Sequence, residues 1–292
     1  MPIEWPSALV TELAERRCII FMGAGTSMGS VAEDGVKYPP NWENFLKGAA
    51  ELVHNKSDKK HALALINKYQ FLDAAEIITD CSNPADFTNY LRDAFVTPRF
   101  SPSELHKIIL EIDPKIVITT NYDEIYDHYC NSGHAESGYN VCRYYDRHAV
   151  DDLRSSIRLV IKAHGCVSDG TRIVLSRSSY YTAKGNYPGF YQLLDALFLT
   201  YTLLFVGASL TDPDIQLVLG NANLSVPSSR PHYALVEKTR HKSIKDAIKK
   251  TNNIELIEYP RKKHDTALRA MADLKDKVIG QRSLEAPRLR VP

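Results

Sequence analysis

The chain has 292 residues, 44% hydrophobic and 24% charged, enough apolar material for one large α/β unit or for two smaller domains. Lys+Arg 36 against Asp+Glu 35 leaves a net charge of +1, so the bulk charge does not call for nucleic acid or anionic lipid. The five cysteines (Cys18, Cys81, Cys130, Cys142, Cys166) are odd in number, far apart and never form CxxC, which argues against a disulfide framework and against a four-ligand structural zinc site.

The N-terminus, MPIEWPSALVTELAERR, contains acids and no apolar core of signal-peptide length. No segment approaches the run of about twenty apolar residues that a membrane span needs. A soluble, cytoplasmic protein is expected. Pro6 can sit in the first turn of a helix that carries Leu9, Val10 and Leu13 and ends at Arg16 and Arg17. CIIFM (18–22) then reads as a buried strand, a short apolar run stopped by Gly23. Over 42–112 the spacing predicts helices, with Trp42, Phe45, Leu46 and Ala49 on one face and Phe87, Tyr90, Leu91 and Phe95 on another.

Further strands are expected at 115–120 (KIVITT), 158–163 (RLVIKA), 172–176 (RIVLS), 202–209 (TLLFVGAS), 232–237 (HYALVE) and 253–259 (NIELIEY), with helices between several of them, including 187–201 and 244–250. Apolar runs that alternate with helices imply an α/β fold: a Rossmann-like, mostly parallel sheet with helices on both faces. The helical block at about 41–112 reads as a module inserted into a single domain spanning 1–280. In the last helix Leu268, Met271, Leu274, Val278 and Ile279 form an apolar stripe, expected to pack on the chain's own sheet in preference to another subunit. The tail 281–292 lacks periodicity and is expected to be mobile or ordered only against a partner. Lys245, Lys249, Lys250, Arg261, Lys262 and Lys263 read as a solvated helix face and turn rather than a binding patch.

Four polar turns follow apolar strands. In IIFMGAGTS, Gly23 and Gly25 let backbone approach a phosphate, although a tight structural turn explains the pair equally well. Met28 stands where the dinucleotide fingerprint wants a third glycine, which disfavours an ordinary dehydrogenase. In TTNYD, Asn121 and Asp123 occupy the carboxyl end of a strand, where open α/β sheets keep ligand sites; in isolation they read as helix caps. His164 ends another strand beside Gly165. Ser209 and Asp212 in GASLTD can hold a ribose or merely cap the next helix. Taken together, the four turns place glycine, hydroxyl, amide, acid and imidazole groups along one edge of one sheet.

The ordered set GAGTS, TTNYD, HG and GAS resembles the sirtuin superfamily, and most closely its sirtuin-like NADase branch from bacterial anti-phage defence. The resemblance implies that Gly23, Ala24, Gly25, Thr26 and Ser27 line the NAD site on its pyrophosphate and nicotinamide-ribose side. Gly207, Ser209 and Asp212 would lie on the adenosine side, Asn121 and His164 would be catalytic, and Asp123 would be the acid beside them. The chain departs from deacylase sirtuins in two respects. Only Cys166 lies where they carry a four-cysteine zinc module, and the proline-aspartate-phenylalanine-arginine stretch after the glycine loop is missing.

The implied reaction is hydrolysis of NAD to nicotinamide and ADP-ribose, with no metal, as a defence effector. The alternatives are protein deacylation or ADP-ribosyl transfer, which a zinc module would favour, and a non-catalytic NAD-sensing module, which a missing Asn or His would favour. A homo-oligomer controlled by a separate activating protein is expected, a HerA-like ATPase being the partner the resemblance suggests. Any contact with nucleic acid would then come only through that partner.

Overall fold

Seven segments pair into one sheet: β1 (Cys18–Met22), β2 (Ile116–Thr119), β3 (Tyr139–Arg143), β4 (Arg158–Lys162), β5 (Thr202–Val206), β6 (His232–Glu237) and β7 (Ile254–Tyr259). The structure, a computed structural model, describes residues 3–134, 138–210, 219–220, 223–224, 228–238 and 241–285. The strand order is β3-β4-β2-β1-β5-β6-β7 and every neighbouring pair is parallel. β1 is central and buried along its whole length, which is why CIIFM is continuously apolar rather than alternating. From β1 the chain builds outward through β2 on one side and later through β5 on the other, so the strand order reverses there and leaves a crevice at the carboxyl ends.

The period-2 alternation of a strand sends successive residues to opposite faces, and two cores result. Ile20, Met22, Val117 and Leu204 face one core, built with helices α1 (Ser7–Ala14), α6 (Glu104–Ile112) and α12 (His264–Glu285). Ile19, Phe21, Ile118 and Phe205 face the other, against α10 (Pro188–Thr200). The helical block divides. Helices α2 (Trp42–Ala49), α3 (Lys56–Asn67), α4 (Phe71–Cys81) and α5 (Pro84–Phe95) form a module with its own core around Phe45, Leu46 and Ile78, whereas α6 packs on the sheet. Asparagine side chains start three of the module helices by accepting backbone N–H groups: Asn41 for α2, Asn55 for α3 and Asn83 for α5. Further α-helices among the described residues are α7 (Ile125–Tyr129), α8 (Ala149–Arg154), α9 (Arg177–Asn186) and α11 (Lys242–Asn252).

The structure departs from the sequence reading in three places. RIVLS is not a strand. Ile173 and Leu175 are buried in the module's core and Val174 in the second core of the sheet, the segment being pinned by Val174 N–H to His164 O at 3.0 Å and Tyr122 Oη–H to Val174 O at 2.7 Å. YNVCR is a strand, the edge strand β3, whose polar residues interrupt the apolar run that marks a buried strand. The last helix continues past Gly280 to Glu285. Arg282 holds this end by donating to Leu13 O and Ile112 O at 2.7 Å and to Ala14 O at 2.9 Å, so 281–285 are ordered against the chain itself.

The apolar stripe of α12 is covered by the first core, with Met271, Leu274 and Val278 at 0% exposure and only Ile279 outside it. In the basic stretch Lys245 pairs with Glu258 and Lys249 with Glu255. No described helix is long and apolar enough to cross a membrane. Leu274→Ala removes a fully buried side chain from the α12 contact and should cost about 2–5 kcal/mol, read as a lowered urea midpoint at unchanged slope.

Candidate active site

The loops after β1 and β5 touch backbone to backbone. Gly23 N–H donates to Val206 O at 3.1 Å and Gly25 N–H to Gly207 O at 2.9 Å. A Cβ on Gly23 would lie 2.6 Å from Ala208 Cα, and one on Gly25 would lie 2.8 Å from Gly207 Cα. Gly207 itself has φ +64, which favours glycine. These glycines therefore serve first to let the two strand-end loops close on each other. Gly25 and the fully buried Thr26 do not face the cavity above; they hold the loop from behind. Thr26 Oγ1 donates to Gly23 O at 2.7 Å, and Thr26 O accepts Ser103 Oγ–H at 2.6 Å, which ties the loop to the start of α6.

At the end of β2, Asn121, Ser27 and Asp123 form one polar chain. Asn121 Nδ2 donates to Gly23 O and to Ser27 Oγ, each at 3.2 Å, and Ser27 Oγ donates to Asp123 Oδ2 at 3.0 Å. Asp123 Oδ1 also accepts Ile125 N–H at 3.1 Å, so the same carboxylate ties the network to the first residue of α7, although Glu124 and not Asp123 is the N-cap position. With Nδ2 committed inward, the amide oxygen of Asn121 is the atom left for a ligand. His164, 5% exposed, stands one strand away at the end of β4, with the Tyr180 ring edge-on at 5.1 Å and 79°. Gly165 follows with φ +81, a turn that sends the chain under the module.

Above these groups lies a cavity of about 790 Å³, within the range of small-molecule sites. Gly23, Ala24, Ser27, Asn121, Asp123, His164, Gly207 and Ser209 all line it. Asp212 lies outside the described residues. The far wall is the helical module, where Trp42, Phe45, Phe71 and Phe95 present an apolar surface. Phe45 packs 5.3 Å from Phe95 and 6.5 Å from Tyr122, joining the module to the Asn121–Asp123 turn.

Lys162, at the end of β4 and fully buried, was not singled out from sequence. The signal was there: a lysine inside the apolar run RLVIKA, two residues before His164. Its ammonium donates to Asp123 O and to Asp127 Oδ2 at 3.0 Å. Burial alone would depress the ammonium, but Asp127, with Cys166 and Asp123 beside it, outweighs that and keeps it charged. Among the described residues, Glu124, Asp127 and Cys166 bring metal-type ligand atoms within 4.8 Å of one another. Lys162 already supplies positive charge there, and Cys166 Sγ–H donates to Glu124 Oε1 at 3.2 Å, so the cluster reads as a bracing network beneath the site.

The anchor of α6 has a titratable element. His106 is fully buried, its Nδ1 accepts Ser103 N–H at 3.2 Å, and its Nε2 has no partner. Burial pushes its pKa down to about 4, and burial does the same to His232. Unfolded histidines titrate near ~6.5, so between the two values the unfolded chain binds more protons. Stability should therefore hold above pH ~6.5 and fall as pH drops toward 4. Urea midpoints at pH 7 and pH 5 check this: His106→Gln should flatten part of the slope, and His232→Gln should flatten the rest.

A parallel sheet with its crevice at the strand-order reversal, glycine loops closing beneath it, and an amide and an imidazole at its lip place the candidate site where open α/β sheets bind ligands. The model of the SIR2-like domain family matches residues 115–257 of the chain. It is 26% identical over 209 residues to Defense-associated sirtuin 2 of Bacillus subtilis, covering 70% of this chain and 19% of that one. It is 27% identical over 232 residues to the NAD(+) hydrolase ThsA of Enterococcus faecium, covering 78% and 45% respectively. To the ThsA of Acinetobacter baumannii it is 23% identical over 231 residues, covering 79% and 44%. The chain thus spans less than half the length of these relatives.

Proposed function

We propose that the chain cleaves the nicotinamide N-glycosidic bond of NAD and passes the ribosyl group to water, giving nicotinamide and ADP-ribose. The observation that carries this is the pairing of Asn121 and His164 across one cavity, with Asn121 held by a chain of hydrogen bonds that ends on the Asp123 carboxylate. Relatives named as NAD(+) hydrolases support the choice of substrate.

As nicotinamide departs with the bonding electrons, positive charge builds on the ribose ring. Groups already oriented toward that charge lower the barrier without reorganising. The Asn121 amide oxygen accepts a hydrogen bond from the attacking water and so aims the water's lone pair at the anomeric carbon. His164 hydrogen-bonds a ribose hydroxyl and takes up the proton that the water sheds. The apolar module wall limits how many other waters reach the cation.

Chromatography of the products decides between hydrolysis and transfer. Free ADP-ribose and nicotinamide in equal amounts are expected; stoichiometric deacylation of an acetyl-lysine peptide would reverse the reading. Asn121→Ala and His164→Ala should each lower turnover at saturating NAD by about 10²–10³ while the protein stays folded by circular dichroism.

An unrestrained NAD hydrolase would exhaust its own cell, so the activity needs control. We infer a cytoplasmic homo-oligomer with low basal activity, switched on by a separate protein for which a HerA-like ATPase is the favoured candidate, acting as a defence effector. Five cysteines, none of them paired, suit a reducing compartment. With the α12 stripe covered by the first core, we place the control surface on the outside of the helical module. Light scattering with NAD turnover across a dilution series, with and without the candidate activator, tests this. A fully active monomer indifferent to dilution and partner would overturn it.

A further inference from the structure

The cavity has two ends along the sheet edge, because its lining follows the strand order: His164 after β4, Asn121 after β2, Gly23 after β1 and Gly207 after β5. If the dinucleotide runs from Gly207 and Ser209 to Asn121, as the proposed activity requires, the end left over is the one beside His164. A polar seam borders that end. Asp73 on α4 accepts both Arg177 Nε at 3.0 Å and a terminal guanidinium nitrogen of Arg177 at 2.7 Å. One turn along α4, Glu76 accepts Ser178 N–H at 2.9 Å and also the Ser178 hydroxyl. Asp73 and Arg177 both line the cavity, and Arg177 is the only lysine or arginine among its described lining residues. Behind this seam Tyr180, on the same helix as Arg177, stands against the His164 ring.

The seam joins two separately built parts of the fold, the helical module through α4 and the sheet domain through α9. Its groups are half-exposed, with side-chain exposures of 68% for Arg177 and 43% for Asp73. Pairs of that kind are worth only ~0–1 kcal/mol each, too little to drive folding of either part. Their position therefore matters more than their strength: they border the cavity at its end beside His164.

We propose that the Asp73–Arg177 and Glu76–Ser178 seam is a specificity determinant, admitting water and the smallest alcohols to the ribosyl cation and shutting bulky acceptors out. This rests on the NAD-cleavage reading. The step it governs is the second one: after the C1′–N bond breaks and nicotinamide leaves with the electron pair, an acceptor oxygen donates a lone pair to C1′. The acceptor's proton then passes to His164 or to solvent. Water gives ADP-ribose, and an alcohol gives the O-alkyl ADP-ribose.

The test uses NAD with equimolar methanol and 2-phenylethanol, with nicotinamide and both adducts quantified by mass spectrometry. The wild type should form the methyl adduct and almost none of the phenylethyl adduct. In Asp73→Ala/Glu76→Ala the phenylethyl-to-methyl ratio should rise roughly tenfold, on the scale by which a pocket discriminates small groups. Ser178→Ala, a milder change, should raise the ratio less, and the swap Asp73→Arg/Arg177→Asp should bring it back toward the wild-type value. Because the readout is a ratio of two products from one cation, a general loss of activity does not move it. Nicotinamide release with both alcohols captured alike, with neither captured, or with a ratio unchanged in the variants would overturn the seam proposal alone. Absence of nicotinamide release from the wild type would overturn the hydrolase reading and take the seam proposal with it.

Discussion

The site exists because two backbones approach each other more closely than any side chain would permit. Where the loops after β1 and β5 meet, a single Cβ at Gly23 would have to share space with Ala208 Cα, and one at Gly25 with Gly207. That contact lies at the strand-order reversal, so it sets the depth of the crevice and the direction in which Ser27 points. Ser27 in turn receives Asn121 and donates to Asp123, and the orientation of the Asn121 amide is thus inherited from a packing constraint between glycines.

A second constraint acts from below. A lysine with no exposure is costly unless it is fully paired, and Lys162 is paired with the carbonyl of Asp123 and the carboxylate of Asp127. The cost is concentrated under the turn that carries Asn121, and the turn gains a geometry that it cannot leave without stranding a buried charge. Ser103 and His106 brace the glycine loop from the side in a similar way, through hydrogen bonds to backbone rather than to any ligand.

Most of the frame was legible in the sequence because buried parallel strands announce themselves as apolar runs. CIIFM, TLLFV and HYALVE all hold that signature, and the polar turn after each of the first two lies where the runs predicted. Two of the errors share one cause. Hydrophobicity reports burial, not the partner: RIVLS is buried in the module's core and the second core of the sheet without pairing as a strand, while YNVCR pairs at the edge with polar residues facing out. Of the site, the lip residues were readable from their motifs. The wall was not, because Trp42, Phe45 and Phe71 are ordinary core-type residues until the module is placed over the strand ends. Nor was the seam, since Asp73 and Arg177 are 104 residues apart and each looks like a solvated helix charge.

The module's separate core has a consequence for how such a protein can diverge. Phe45, Leu46, Ile66 and Ile78 stabilise the four helices among themselves, and the sheet keeps two cores of its own. Substitutions on the cavity-facing side of the module that spare the contacts of Trp42, Phe45 and Phe95 with Tyr122 can thus reshape one wall of the site while the strand ends that position Asn121 and His164 stay as they are. The strand ends and the wall that faces them rest on different cores, so selection can tune the second without renegotiating the first.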